Sequence, residues 1–206
     1  MDRVFADQSL SLDGFSTGPN VGMNNPMGDG GEELHAWQFR GGRRPEVLEN
    51  LFGSSTGAVL VGRHTFDLGE KPWGDDPPFH LPVFVVTHRP KATVTKRGGT
   101  TYTFVTDGLE RALAQARATA GDRDVVVLGG AAIIQQCLRA GLLDELQLHL
   151  VHILLGGGTS LFGGPDPAGL ALERTRLMDA EGVTHLDFRV ERPGQEKRTI
   201  PYIAHD

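Results

Sequence analysis

Residues 124–141 read DVVVLGGAAIIQQCLRAG, and this stretch decides the fold class. Asp124 to Leu128 is a near-continuous apolar run of strand length, the type that crossover helices bury on both faces. Two glycines follow, and then Ile133, Ile134, Cys137 and Leu138 recur at helical spacing until Gly141 ends the pattern. Just upstream, Leu109, Ala112, Leu113, Ala116 and Ala120 share a helical face, with Thr106 and Asp107 as candidate caps and Gly121 as the stop. Further upstream, Ala58 to Val61 lies between glycines and Val83 to Val86 follows Pro82. Both read as buried strands, with a short helix expected over 64–69 between them. Strands that alternate with helices predict an α/β fold around a mostly parallel sheet. Near the end, Leu146, Leu148 and Leu150 alternate with Gln147, His149 and Val151, and Leu186, Phe188 and Val190 alternate with His185, Asp187 and Arg189. That is the period of half-covered strands, and no convincing helix separates them, so the sheet is expected to end in an antiparallel C-terminal edge.

The 206 residues suit one domain, expected over 1–192, followed by an aperiodic tail over 193–206. Glycine contributes 28 residues, roughly twice its ordinary share and without a three-residue period, so turns and close backbone approaches are expected rather than collagen. Basic residues number 20 against 26 acidic ones, a net charge of −6 with no basic block, which argues against nucleic-acid binding. The single Cys137 closes no intrachain disulfide and cannot make a thiolate zinc cage, which fits a reducing compartment. The opening MDRVFADQSL has neither the basic end nor the apolar run of a secretory signal, and no segment approaches membrane-spanning length, so a cytoplasmic protein is expected. No HExxH motif occurs, and His149 and His152 would point to opposite faces of a strand, so no metal site is expected.

Three strand ends carry the candidate chemistry, because ligands in open α/β sheets bind beyond the carboxyl ends of strands. At the first, Gly62 permits close approach, Arg63 supplies a guanidinium suited to phosphate, and Thr65 offers a hydroxyl; a plain helix start with a solvated arginine is the alternative. At the second, Thr87, His88 and Arg89 could hold a further phosphate, or simply form a polar turn before Pro90. At the third, Gly129, Gly130, Ala131 and Ala132 would let a pyrophosphate or flat ring approach a helix start, or would serve tight strand-to-helix packing.

Taken together, AVLVGRHTF at 58–66, PVFVVTHRP at 82–90, VVVLGGAAIIQQCL at 125–138 and DELQLHLVHILLGGGTSLF at 144–162 resemble the dihydrofolate reductase family. With SLSLDGFSTGPN at 9–20, they are most similar to the reductase domain of the bacterial riboflavin-biosynthesis deaminase/reductase. The resemblance runs over residues 4–190 and implies a dihydrofolate reductase-like three-layer fold, NADPH lying across the strand ends, and a homodimer. It places Gly62, Arg63 and Thr65 on cofactor phosphate and Thr87, His88 and Arg89 toward the adenosine 2′-phosphate. Gly129, Gly130, Ala131, Ala132 and Ile133 would run beneath the pyrophosphate and nicotinamide. The companion deaminase needs cysteine zinc ligands that one Cys cannot supply, so the reductase half alone is implied.

The family's substrate acid precedes an aromatic residue on the first helix, and aligning Trp37 and Phe39 on the family's aromatics puts Leu34 in its place. The proton donor is therefore left among Glu33, His35, Asp13 and water, with Asp13 also a candidate for shaping a loop over the nicotinamide. The expected activity is NADPH-dependent hydride transfer to a C=N or C=O of a small pteridine- or pyrimidine-like substrate, with residues 17–31 as a lid. The alternative is a non-catalytic nucleotide-binding or assembly protein that keeps the cofactor face.

Overall fold

The computed structural model describes residues 3–39, 47, 51–163 and 170–191. In chain order these form β1 (Val4–Ser11), β2 (Phe15–Thr17), a 3₁₀ helix (Gly31–Phe39), β3 (Thr56–Gly62), α1 (Arg63–Trp73), β4 (Pro82–Val86), β5 (Val94–Thr95) and β6 (Thr101–Val105). Then follow α2 (Leu109–Ala120), β7 (Asp124–Val127), α3 (Ala131–Arg139), β8 (Glu145–Val151), β9 (Thr159–Ser160), β10 (Ala171–Ala180) and β11 (Val183–Glu191). The expected tail over 193–206 lies outside the described residues.

Nine strands form one sheet in the order β10-β11-β8-β1-β7-β3-β4-β6-β5. Strands β8, β1, β7, β3, β4 and β6 run parallel, while β11 and β10 supply the expected antiparallel C-terminal edge and β5 pairs antiparallel at the other end. The continuous apolar runs follow from burial on both faces. Val125, Val127 and Leu60 pack with Leu113 and Ala116 of α2 and Ile134 of α3, whereas Val126, Val59 and Val61 pack with Phe66 of α1 and with Leu34 and Trp37.

The helix expected over 64–69 extends from Arg63 to Trp73, with Pro72 inside its last turn and Gly74 at φ 64 ending it. Neither Thr106 nor Asp107 caps α2; Gly108, at φ 92, is the N-cap, and its carbonyl accepts from the Ala112 amide. The polar faces of β8 and β11 are closed to solvent at His149 and His185, while Arg189 stays exposed. Trp37 of the 3₁₀ helix lies over the two imidazoles, its ring 4.8 Å from His149 and 4.9 Å from His185, and both histidines are buried.

One mismatch of strand lengths creates the site. β1 pairs with β7 only through Val4, Phe5 and Ala6, whereas on its other side it pairs with β8 from Phe5 to Ser11. Asp7, Gln8 and Ser9 therefore overhang the carboxyl end of β7.

Candidate active site

A cavity of about 730 Å³ opens at these strand ends, lined by the overhanging β1 residues, the ends of β3 and β7, the starts of α1 and α3, and the 3₁₀ helix. Its phosphate-suited wall is made by glycines. Gly62 and Gly130 are the N-caps of α1 and α3, and neither offers a side chain to the first-turn amides. Two helix starts with free N–H groups thus border one cavity, the arrangement that favours anions. The Gly62 amide donates to the Gly129 carbonyl at 2.8 Å and ties the two strand ends together. A Cβ on Gly62 would lie 2.8 Å from Ile133 Cγ1, and one on Gly130 would lie 3.0 Å from Thr65 Oγ1, so both approaches depend on glycine.

Of the residues expected to hold the cofactor, Gly62, Arg63, Thr65, Gly130, Ala131, Ala132 and Ile133 line this cavity. Gly129 sits behind the lining, with φ 95 and a cis peptide bond to Gly130. Thr87, His88 and Arg89 lie outside the lining, and Arg89 is linked to it through Asp67. One Asp67 oxygen accepts from Arg63 Nε at 2.7 Å and the other from Arg89 Nη2 at 3.0 Å. Thr87 Oγ1 accepts from the Arg89 amide at 3.0 Å and shapes the turn that carries the guanidinium.

The opposite wall separates the three candidate proton donors. His35 lines the cavity, and burial lowers its pKa below the ordinary value. Glu33 is exposed and outside the lining, whereas its neighbour Glu32 faces in. Asp13 is a loop clamp: its carboxylate accepts from the Leu155 and Gly156 amides at 3.1 and 2.7 Å. The Ser11 hydroxyl, ahead of those amides, holds the Asp13 carboxyl below its ordinary range, and Asp13 too lies outside the lining. Leu34 is fully buried in the core. The 17–31 loop is organised by its own bonds, with Gly18 donating to the Met27 carbonyl at 2.8 Å and Asp29 accepting from Asn20 and Asn25, and its Val21, Pro26 and Met27 form part of the wall.

Beside Glu32, a second carboxylate faces the cavity, Asp7, which sequence reasoning missed. Its Oδ2 lies 2.8 Å from His149 Nε2, and His149 Nδ1 lies 2.8 Å from His185 Nδ1. A charged residue inside the otherwise strand-like VFADQSL was the available signal. Its partners follow from register, which sets His185 opposite His149 and His149 opposite Ser9, two residues along from Asp7.

Residues 3–185 match the RibD C-terminal domain. The chain belongs to the RibD C-terminal domain family. Among similar proteins, YyaP of Bacillus subtilis strain 168, an uncharacterized protein, is 25% identical over 166 residues, covering 78% of this chain and 80% of YyaP. A putative riboflavin biosynthesis protein from Shewanella sp. PV-4 superposes with a TM-score of 0.71 at 21% identity, over 92% of this chain and 99% of that one. Dihydrofolate reductase from Enterococcus faecalis, solved with NADP(H), gives 0.58 at 15% identity over 92% and 97%. The fold is thus dihydrofolate reductase-like, and the RibD family supports a reductase-type role. Among the described residues, no helix is long and apolar enough to cross a membrane, and no cluster of three or more His, Cys, Asp or Glu is placed to hold a metal ion.

Proposed function

We propose that this protein is an NADPH-dependent reductase acting on a small pteridine- or pyrimidine-like substrate. The observation that carries the reading is one cavity bordered by two glycine-capped helix starts and Arg63, with Asp7 and His35 on the facing wall. The residues fit the cofactor: side chains at Gly62 and Gly130 would close the approach to the helix amides, while Arg63 and Arg89 flank Asp67 where a phosphate could take over their hydrogen bonds. NADPH, when bound, supplies the hydride. The chain's own residues do the remainder. The α1 and α3 amides and Arg63 hold phosphate, and Thr65 adds a hydroxyl beside Gly130. Met27, Phe52, Trp73 and Leu128 give the cavity the apolar surface that suits a flat heterocycle and keeps water out. Asp7 and His35 are the groups placed to meet a ring nitrogen or carbonyl oxygen.

The test incubates purified protein with NADPH and a panel of pterins, pyrimidines and small carbonyls while following loss of the reduced nicotinamide absorbance. Oxidation that depends on the acceptor is expected. Tight NADPH binding without turnover across the panel would favour the non-catalytic alternative, and absence of NADPH binding would refute the reading.

A further inference from the structure

Asp7, His149 and His185 form a line of three titratable side chains that cofactor binding does not use. Two ring nitrogens 2.8 Å apart, as His149 Nδ1 and His185 Nδ1 are, share one proton between them. On its other side His149 Nε2 faces the Asp7 carboxylate at 2.8 Å. His149 therefore has a hydrogen-bonding partner at each nitrogen, so that a ring carrying two protons would be satisfied at both. It is 2% exposed and Asp7 10% exposed, so the positive ring would be paired with the negative carboxylate and covered by Trp37. Burial, then the charge on His149 and then Arg176 push the His185 pKa down to about 4. The other charged groups facing this line are His35 from the 3₁₀ helix, Glu145 from β8, Asp187 from β11 and Arg176 from β10.

A reductase site must be dry when hydride moves, yet each reduction of C=N or C=O consumes a proton as well. We propose that His149 stores that proton and passes it through Asp7 to the substrate. The idea rests on the reductase reading of the cavity. While the cavity is open, a proton from water reaches Asp7 and moves to His149 Nε2, which already carries a proton on Nδ1 directed at His185. In the closed site the Nε2 proton returns to Asp7 Oδ2, and Asp7 protonates the substrate nitrogen or oxygen as the neighbouring carbon accepts hydride. The product gains one hydride and one proton, Asp7 ends as carboxylate, and His149 ends neutral until the cavity reopens. Asp7 is the residue that touches substrate, and His149 and His185 act through it.

The first arm needs neither cofactor nor substrate. In protein labelled with ¹⁵N-histidine, the His149 ring should be protonated on both nitrogens near neutral pH while His185 carries a single proton. Asp7→Asn, which keeps the side-chain shape but removes the charge, should strip the second proton from His149. A singly protonated His149 in wild type, or no response to Asp7→Asn, overturns the store. The second arm uses NADPH with an acceptor that turns over. His149→Gln should leave the NADPH Kd within about twofold, lower kcat by about tenfold or more as loss of a positioned proton donor does, and restore rate only toward acid pH. His185→Gln, which weakens the acceptor behind Nδ1, should move the alkaline limb of the wild-type pH profile toward lower pH and serves if His149→Gln fails to fold. If NADPH is oxidised and both variants keep the wild-type kcat and pH profile, the store is refuted and the reductase reading stands. If wild type neither binds nor oxidises NADPH, the reductase reading fails, and with it any delivery to substrate.

Discussion

Removing the Arg89 guanidinium separates cofactor recognition from folding. Arg89 is 69% exposed on its side chain and bonded at 3.0 Å to Asp67, an exposed type of pair worth about 0–1 kcal/mol, so Arg89→Ala should leave stability almost unchanged. A guanidinium on the adenosine 2′-phosphate is worth about 1.5–3 kcal/mol as a charge-assisted hydrogen bond. To make that contact Arg89 must leave Asp67, and with about 0.5 kcal/mol, the middle of that pair's range, given up, the net gain is about 1–2.5 kcal/mol, or about 5- to 60-fold in Kd. NADPH should therefore bind Arg89→Ala about 5- to 60-fold more weakly, whereas NADH, which lacks that phosphate, should be unaffected. Asp67→Asn should act in the opposite direction, because it releases Arg63 and Arg89 and removes a negative charge beside the phosphate. The assay is quenching of intrinsic fluorescence by each cofactor at one fixed ionic strength, since screening alone shifts such contacts. An unchanged ratio of NADPH to NADH affinity in Arg89→Ala would refute the placement of the 2′-phosphate at Thr87, His88 and Arg89.

Gly130→Val puts a branched side chain where a Cβ would already lie 3.0 Å from Thr65 Oγ1, so NADPH binding should be lost while circular dichroism shows the fold retained; unchanged affinity would move the cofactor elsewhere. His185 has its pKa lowered from 6.5 to about 4, so between those values the unfolded chain binds a proton that the folded one does not, and stability is lost as pH falls through that window. The ceiling at 1.36 kcal/mol per unit is about 3 kcal/mol, reduced to about 1–2 kcal/mol by relaxation around a charged ring. Urea denaturation at the two ends of the window should show that extra loss in wild type and not in His185→Phe. Burial pushes the Cys137 thiol up to about 12, so a thiol reagent should leave the native protein unmodified near neutral pH and react with one thiol per chain after denaturation.

The sequence by itself determined the succession β3, α1, β4, α2, β7, α3 and β8, because burial on both faces of a parallel sheet demands runs such as DVVV and AVLV that no exposed strand would carry, while β5 and β6, between β4 and α2, went unread. It also located the glycine starts of α1 and α3, since close backbone approach leaves a mark on composition. What it could not decide was anything that depends on how far one strand outruns another. Asp7 faces the cavity because β7 ends at Val127 while β1 continues beside β8, and that length difference is a property of pairing. The alternating patterns around His149 and His185 read as open polar faces, yet Trp37, more than a hundred residues away, closes over both rings. Arg63 and Arg89, 26 positions apart, meet at one carboxylate only once β3 and β4 lie side by side. Local burial periodicity is written into neighbouring residues, but register, strand overhang and the cover over a polar face arise from contacts between distant segments, and these only the tertiary structure decided.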